Sequence, residues 1–91
     1  MKYSVRTTER FDREFQKLDR YTQKMMLAWL HKHLDNCEDP YVCGKALTGD
    51  KSGLWRYRIG DYRMICKIEK NELIILALTV GHRSEIYKRP I

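Results

Sequence analysis

Three arginines lie within "LWRYRIGDYRMICKI", residues 54–68, which otherwise has the composition of two short strands. Gly60 and the aspartate after it separate these strands, and glycine at the first turn position supplies the positive φ of a two-residue hairpin turn. In the resulting register Arg58 lies directly opposite Arg63, and Arg56 lies two residues along the same face. A three-residue loop would break this parity, whereas a four-residue loop would keep it. The sequence therefore predicts a hairpin with one apolar face and one guanidinium face.

The charges on the guanidinium face do not stabilise the fold. Like charges directly opposite each other destabilise a sheet by about 0.2–1 kcal/mol. A single arginine on a strand is ordinarily solvated, but a patch of one sign usually indicates a charged partner. Three arginines on one face therefore favour an anion-binding surface over a merely solvated one.

A second group of candidate functional residues lies in "GHRSEIYKRPI", residues 81–91. Guanidinium groups bind the non-bridging oxygens of a phosphodiester and offset the charge that develops in its transition state. Tyr87 can stack on a base or donate its hydroxyl, and His82 has the unperturbed pKa suited to proton transfer near neutral pH. The alternative is a structural role for each, in C-terminal packing and in a turn. The predicted site for phosphodiester chemistry is Arg56, Arg58, Arg63, His82, Arg83 and Tyr87.

Other kinds of site do not fit the spacing. His31, His33, Cys37 and Cys43 lie within thirteen residues, but residues two apart on a helix point to opposite sides, and the spacing matches no zinc pattern. No glycine-rich phosphate loop is present, and nothing brings Cys66 near a histidine. We therefore predict neither a metal site nor a cofactor.

Composition indicates one small basic domain. The 91 residues carry a net charge of +6, and residues 51–91 hold nine Lys/Arg against four Asp/Glu, whereas residues 1–50 hold nine against eight. Such a basic half favours nucleic acid as the partner first and an acidic protein second. Three cysteines fit a reducing compartment, and neither a membrane helix nor a signal peptide is evident. The sequence predicts a cytoplasmic protein without a membrane partner.

The first half of the chain predicts a strand and a helical hairpin. A short strand around residues 3–5 precedes a helix that Thr7 or Thr8 can cap. The apolar stripe of this helix is Phe11, Phe15 and Leu18. A turn at residues 19–21 leads to a second helix that ends near residue 36. Its predicted inward residues are Met26, Leu27, Leu30 and Leu34.

The second half predicts a strand meander. Residues 44–53 contain three glycines and are predicted to be a loop. Residues 73–80 form an apolar run without alternation, which favours a central strand covered on both faces. We therefore predict an α+β fold of order β-α-α-β-β-β, with a small, mostly antiparallel sheet and the N-terminal helical hairpin on one face. The arginines would occupy the other face, and His82, Arg83 and Tyr87 should emerge beside them.

The segment of residues 44–88 resembles the RelE/ParE family of bacterial type II toxins. The most specific part is "WRYRIGDYR", followed by an apolar strand and "GHRSEIY", and the earlier helix "FDREFQKLD" fits the first helix of the family. The resemblance covers nearly the whole chain. It implies a single RelE-like toxin domain over residues 1–91 and a cognate, RelB-like antitoxin that binds and silences it.

The RelE branch of that family cleaves messenger RNA in the ribosomal decoding site, without a metal, by attack of the ribose 2′-hydroxyl on the adjacent phosphate. The resemblance gives Arg56 and Arg58 the two basic strand positions, and it gives Arg63 the phosphate-binding position. Arg83 corresponds to an arginine that assists the leaving group, and Tyr87 to a tyrosine that stacks on the substrate base. The implied partners are the antitoxin, the ribosome and mRNA. Further residues predicted to bind RNA are Lys51, Lys88 and Arg89.

One departure from the RelE pattern leaves two mechanisms and two branches open. RelE proteins carry lysines at the two strand positions, one of them assigned as general base, whereas arginine, with a pKa above about 12, hardly loses a proton. Either His82 takes part in proton transfer, or cleavage relies on charge stabilisation and positioning. The departure also keeps open the ParE branch, whose members inhibit DNA gyrase by binding and need no nuclease site.

Overall fold

Seven regular elements and two 3₁₀ turns make up the fold, and the computed structural model describes all 91 residues. The elements are β1 (Ser4–Thr7), α1 (Glu9–Gln16), α2 (Arg20–His33), β2 (Lys45–Ala46), β3 (Trp55–Ile59), β4 (Tyr62–Glu69) and β5 (Ile74–His82), and the 3₁₀ turns are Gly49–Lys51 and Ile86–Lys88. The strands form one sheet in the order β1-β5-β4-β3-β2. Strand β1 runs parallel to β5, and all other neighbours are antiparallel. The predicted α+β architecture is confirmed, with one strand more than expected.

Side-chain caps begin both helices. Thr8 Oγ1 accepts a hydrogen bond from the backbone N–H of Phe11 at 3.1 Å, which selects Thr8 over its neighbour as the cap of α1. Asp19 caps α2 in the same way, through the N–H of Thr22 at 3.3 Å. These caps place the start of each helix within the region that the sequence predicted.

The second helix ends earlier than predicted, at His33. Asn36 adopts a left-handed φ of 64°, which a helix cannot accommodate and which asparagine tolerates better than most residues. The backbone N–H of Asn36 donates to the carbonyl oxygen of Tyr3 at 3.1 Å. The turn after α2 is therefore tied to the beginning of the chain.

Both helices pack on one face of the sheet, as predicted. The main core consists of Tyr3, Phe11, Met26, Leu30, Leu34, Tyr57, Ile59, Met64, Cys66, Ile75, Ala77 and Val80. Leu27 was expected among these residues but is 54% exposed. The inward stripe of α2 advances by four residues from Met26 to Leu34, so the residue next to Met26 points about 100° away from the core.

Two further expectations about the strands need correction. Residues 44–53 include β2, because Ala46 pairs with Trp55 and the Trp55 indole donates to the Cys43 carbonyl at 2.8 Å, which holds the segment against β3. Strand β5 is an interior strand, but the middle of the sheet is β4. Only one face of β5 is fully covered, since Ile75 is buried whereas Leu76 is half-buried.

Candidate functional site

The predicted arginine hairpin forms with the predicted register. Strands β3 and β4 pair Arg58 with Arg63 and Tyr57 with Met64, and Gly60 has a φ of 59° at the first position of the two-residue turn. Met64 and Tyr57 are fully buried under the helices. Arg56, Arg58 and Arg63 consequently lie on the opposite face.

Arg63 is the most enclosed of these arginines, with only 7% of the residue exposed. Its Nη1 donates to the carbonyl oxygens of Gly60 and Tyr62, each at 3.0 Å, so the turn of the hairpin fixes the direction of the guanidinium. It forms no ion pair with a carboxylate. A nearly buried cation without a counter-charge is the electrostatic centre of this face.

The charged groups near Arg63 belong to two separate parts of the chain, the hairpin and the segment after β5. Burial lowers the pKa of Arg63 below its ordinary value, and the charge of Arg58 directly opposite lowers it further. Arg56 and Arg83 act in the same direction, whereas Tyr87 acts against them. Of the three residues expected beside the hairpin, Arg83 and Tyr87 therefore lie close enough for their charges to act on Arg63. We call Arg56, Arg58, Arg63 and Arg83 the arginine set.

Two contacts hold the segment after β5 against the hairpin. The backbone N–H of Arg83 donates to the carbonyl oxygen of Asp61, in the hairpin turn, at 2.8 Å. Arg83 Nε also lies 3.8 Å from Asp61 Oδ1, but both side chains are more than half exposed, so this ion pair contributes little. Ile86 is fully buried and anchors the following 3₁₀ turn, while Tyr87 remains 43% exposed. The phenol is thus held near Arg63 and stays accessible.

The arginine set is poorly neutralised. Arg56 and Arg58 form no ion pair, and the Nε of Arg56 is buried without a hydrogen-bond partner. Guanidinium groups offer planar N–H donors that match the oxygens of a phosphate. The arrangement can therefore bind a phosphodiester between several converging guanidinium groups.

His82 does not lie with the arginine set, contrary to the expectation from its place beside Arg83. A β-bulge in β5 leaves Leu78 unpaired, because Ile65 pairs with Thr79 but the next residue of β4 pairs with Ala77. Without the bulge, the pairing of Cys66 with Ala77 would have continued to a pair of Arg63 with Val80, and His82, two residues further along β5, would have lain on the face of the arginine set. The bulge shifts the register by one residue and turns His82 to the other face.

On that other face, His82 belongs to a separate cleft. Its ring packs edge-on against Tyr62, with 5.5 Å between centroids, and its Nδ1 lies 2.8 Å from Ser84 Oγ. The cleft has a volume of about 590 Å³ and lies between α1 and β5. Charged residues of α1, including Arg13, line it together with His82.

The three flanking residues predicted to bind RNA have different surroundings. Lys88 is exposed, and Lys51 lies 3.8 Å from the carboxylate of its neighbour Asp50. Arg89 is engaged within the protein, by Glu14 at 2.9 Å and by the carbonyl oxygen of Val80 at 3.2 Å. Sequence reasoning missed Glu14, because no motif marks a single glutamate on an amphipathic helix.

The structure provides neither a cluster of metal ligands nor a reactive form of the Cys37 or Cys66 thiol. No three His, Cys, Asp or Glu side chains cluster in a way that could hold a metal ion. Burial raises the pKa of the Cys66 and Cys37 thiols above their ordinary value, so both favour the unreactive protonated form. None of the helices is long and apolar enough to cross a membrane.

Comparison with known proteins adds a family match. Residues 5–87 match the family model described as the ParE toxin of type II toxin-antitoxin systems, parDE. Toxin RelG of Mycobacterium tuberculosis is 29% identical over 89 residues, which cover 98% of this chain and 100% of the relative. A putative RelE-like toxin protein of Escherichia coli is 30% identical over 90 residues, covering 96% and 92% of the two chains.

Solved structures share the fold. The toxin-antitoxin complex RelBE2 of Mycobacterium tuberculosis contains a chain with a TM-score of 0.82 and 26% identity, over 93% of this chain and 95% of that one. A mutant of the Escherichia coli toxin RelE in the free state has a TM-score of 0.73 and 22% identity, over 97% and 93% of the two chains. The helical hairpin and the five-stranded sheet are therefore an established toxin fold.

Proposed function

The chain belongs to the RelE/ParE family of type II toxin-antitoxin toxins, and from this premise we propose that it is a ribosome-dependent endoribonuclease that cleaves mRNA. The attacking group is the ribose 2′-hydroxyl. It forms a bond to the adjacent phosphorus while the bond to the 5′ oxygen of the next nucleotide breaks. The products are a 2′,3′-cyclic phosphate and a 5′-hydroxyl end.

The observation that carries this proposal is the environment of Arg63. Arg63, a residue that is only 7% exposed, lies opposite one arginine and near two others and has no carboxylate partner. The fold gains nothing from this repulsion, but a phosphodiester would bind to all of these charges. In the transition state the phosphate oxygens gain negative charge, and pre-oriented donors stabilise that charge without having to reorganise.

Each residue has a role that follows from its position. Arg63, oriented by the hairpin turn, binds a non-bridging oxygen, and Arg56 and Arg58 bind the remaining negative charge. Arg83, more exposed and at the end of β5, stabilises the departing 5′ oxygen. Tyr87 stacks on the base next to the scissile bond. Lys51 and Lys88 add contacts to the backbone of the RNA.

No residue of the arginine set can accept the proton of the 2′-hydroxyl, because arginine stays protonated at every physiological pH. His82 faces the cleft beside α1, away from the phosphate. Of the two mechanisms that the sequence left open, we therefore favour charge stabilisation and positioning. The proton acceptor is then a group of the ribosome or of the RNA.

A cognate antitoxin is the second proposed partner. The structure of the related RelBE2 proteins is that of a toxin-antitoxin complex. An inhibitor that covers the arginine set must supply negative charge, so we expect an acidic or amphipathic segment over this face. Ribosome, mRNA and antitoxin are all cytoplasmic, which makes the cytoplasm the proposed location.

A second candidate is inhibition of DNA gyrase by binding, because the matching family model is that of ParE toxins. Gyrase binding requires no phosphodiester site. It therefore does not explain why several guanidinium groups converge, or why the phenol of Tyr87 is accessible beside them. The mRNA endonuclease explains both features.

Brief expression in bacteria, followed by mapping of new RNA 5′ ends, separates the two candidates. An endoribonuclease that acts on the ribosome produces cuts at a fixed position within translated codons, and Arg58→Gln abolishes them. Arg6→Gln serves as the control, because Arg6 is exposed on β1 and contacts no partner. DNA damage without codon-phased cuts would instead support the gyrase inhibitor.

A further inference from the structure

One edge of β5 loses its neighbouring strand halfway along. Strand β1 ends at Thr7, opposite Ala77. Thr8 continues the pairing for a short distance, since its N–H donates to the Ala77 carbonyl at 3.2 Å and its Oγ1 to the Leu78 carbonyl at 3.0 Å. Beyond this point the N–H and C=O of Val80 face an edge without a strand, and buried backbone groups of this kind require partners.

Two charged side chains take the place of the missing strand. Glu14 Oε1 accepts from the Val80 N–H at 3.2 Å and from Thr79 Oγ1 at 2.6 Å. Arg89 Nη2 donates to the Val80 carbonyl at 3.2 Å, and Arg89 Nη1 donates to Glu14 Oε2 at 2.9 Å. We call this pair the Glu14–Arg89 clasp. The Glu14 side chain is only 16% exposed, so solvent screens its bonds less than those of a surface ion pair.

The clasp lies next to the segment that carries Tyr87. Arg89 directly follows the 3₁₀ turn Ile86–Lys88, and Ile86 anchors the other end of that turn in the protein interior. Tyr87 therefore lies between two fixed points. A third contact, from Arg10 Nη2 to the Pro90 carbonyl at 2.6 Å, holds the chain beyond the clasp.

The absence of a side chain at Gly81 leaves the space that Arg89 and Ile86 occupy. A Cβ atom on Gly81 would collide with Arg89 Nη2 and would lie 3.3 Å from Ile86 Cδ1. The φ of Gly81 is not in the left-handed region, so the need for glycine here is one of space. The strand, the clasp and the 3₁₀ turn therefore meet at a single point, opposite Arg63 in the register.

We propose that Glu14, acting through Arg89, is a positioning residue that holds Tyr87 beside the arginine set. Glu14 touches neither the phosphate nor the base in this arrangement. It fixes Arg89, Arg89 fixes the end of the 3₁₀ turn, and the turn fixes the phenol. The proposal rests on the proposed function, since it assigns Tyr87 a role in RNA cleavage.

The test compares Arg89→Met with Arg89→Lys, which keeps the charge, and with Arg13→Met as the control. Arg13 lines the same cleft but forms no hydrogen bond or ion pair. Amide hydrogen exchange at Val80 and Lys88, whose N–H groups are hydrogen-bonded, should accelerate by about 10-fold or more in Arg89→Met, less in Arg89→Lys and not in Arg13→Met. Gly81→Ala should have the effect of Arg89→Met, because it displaces the guanidinium.

Single-turnover cleavage then separates positioning from a general loss of stability. Arg89→Met should cleave as slowly as Tyr87→Ala, and the double variant no more slowly than either, because both changes remove the same interaction. Arg89→Lys should recover part of the rate. If Arg89→Met does not fold, Glu14→Gln, which removes the charge and one of the two acceptor oxygens, replaces it in every comparison.

Unchanged exchange at Lys88 in Arg89→Met would mean that the clasp does not hold the segment, and would overturn the proposal. Faster exchange with a wild-type cleavage rate, or losses that add up in the double variant, would overturn the link to Tyr87. If the wild-type protein cleaves no mRNA, the proposed function is wrong. In that event hydrogen exchange still decides whether the clasp holds, and growth inhibition replaces cleavage in the double-variant comparison.

Discussion

Arg58 and Arg63 lie opposite each other, yet we expect their loss to change stability in opposite directions. Arg58 is exposed and makes no hydrogen bond, so Arg58→Gln removes only repulsion and should raise stability by about 0.2–1 kcal/mol. Arg63 donates to two backbone carbonyls, at 3.0 Å each, and is nearly buried. Hydrogen bonds from a charged donor contribute about 1.5–3 kcal/mol.

For Arg63→Gln the relief of repulsion offsets only a small part of the loss of two hydrogen bonds, which leaves a net destabilisation of at least about 2 kcal/mol. In a domain of this size, 1 kcal/mol corresponds to about 4–8 °C in melting temperature. Thermal or urea denaturation can therefore resolve both changes. Arg6→Gln, which removes an exposed strand arginine without a partner, should leave the melting temperature almost unchanged.

The activities should change together although the stabilities diverge. Each variant removes one charged donor from the phosphate site, and loss of one such donor typically lowers kcat by about 10²–10³. The assay is single-turnover cleavage of mRNA on purified ribosomes, at a temperature where all variants are folded. If Arg58→Gln destabilises the protein by more than about 1 kcal/mol, or if either variant cleaves at the wild-type rate, the anion-site reasoning is refuted.

Three more outcomes follow from the site and the helix caps. Tyr87→Ala should slow single-turnover cleavage by about 5–150-fold, as expected for the loss of base stacking of about 1–3 kcal/mol, while Tyr87→Phe keeps most of the rate. His82→Gln should change the rate less than about 3-fold and leave its pH profile unaltered, whereas a loss of about 100-fold would assign His82 as an acid or base. Hydrogen bonds from Thr22 hold the pKa of Asp19 below its ordinary value, so this carboxylate stabilises the folded state above a pH of about 4. The gap in melting temperature between wild type and Asp19→Ala should consequently stay constant from pH 7 down to about pH 4 and narrow as the pH falls further, and a gap that stays constant below about pH 4 would contradict the cap assignment.

The parts of the fold that sequence predicted are those governed by local rules. The glycine at position 60 and the alternation around it were enough to define the hairpin register, because a two-residue turn fixes every pair that follows. Cap residues located the helix starts for the same reason. The pairing of Arg58 with Arg63 follows directly from this register.

The parts that sequence did not predict depend on contacts between distant segments. The two-residue strand β2 is held against β3 by the hydrogen bond from the Trp55 indole to the Cys43 carbonyl. Two residues are too few to show the alternation that predicts a strand. The face of His82 depends on the bulge at Leu78, which shifts the register by one residue. The clasp joins Glu14 to Arg89 across most of the chain. Each of these features needs the folded structure to be seen.

Cleavage of a ribosome-bound mRNA with a single 2′-deoxyribose at the scissile position tests the central claim most directly. The all-ribose message should be cut within the codon in the decoding site and should leave a 2′,3′-cyclic phosphate, whereas the message with the single deoxyribose should stay intact, because it lacks the attacking hydroxyl. Arg58→Gln should cut the all-ribose message about 10²–10³ times more slowly than the wild type and should not cut the deoxyribose message at all. Equal cleavage of the two messages, or a wild-type protein that leaves both intact on programmed ribosomes, would contradict the assignment of the arginine set to RNA cleavage.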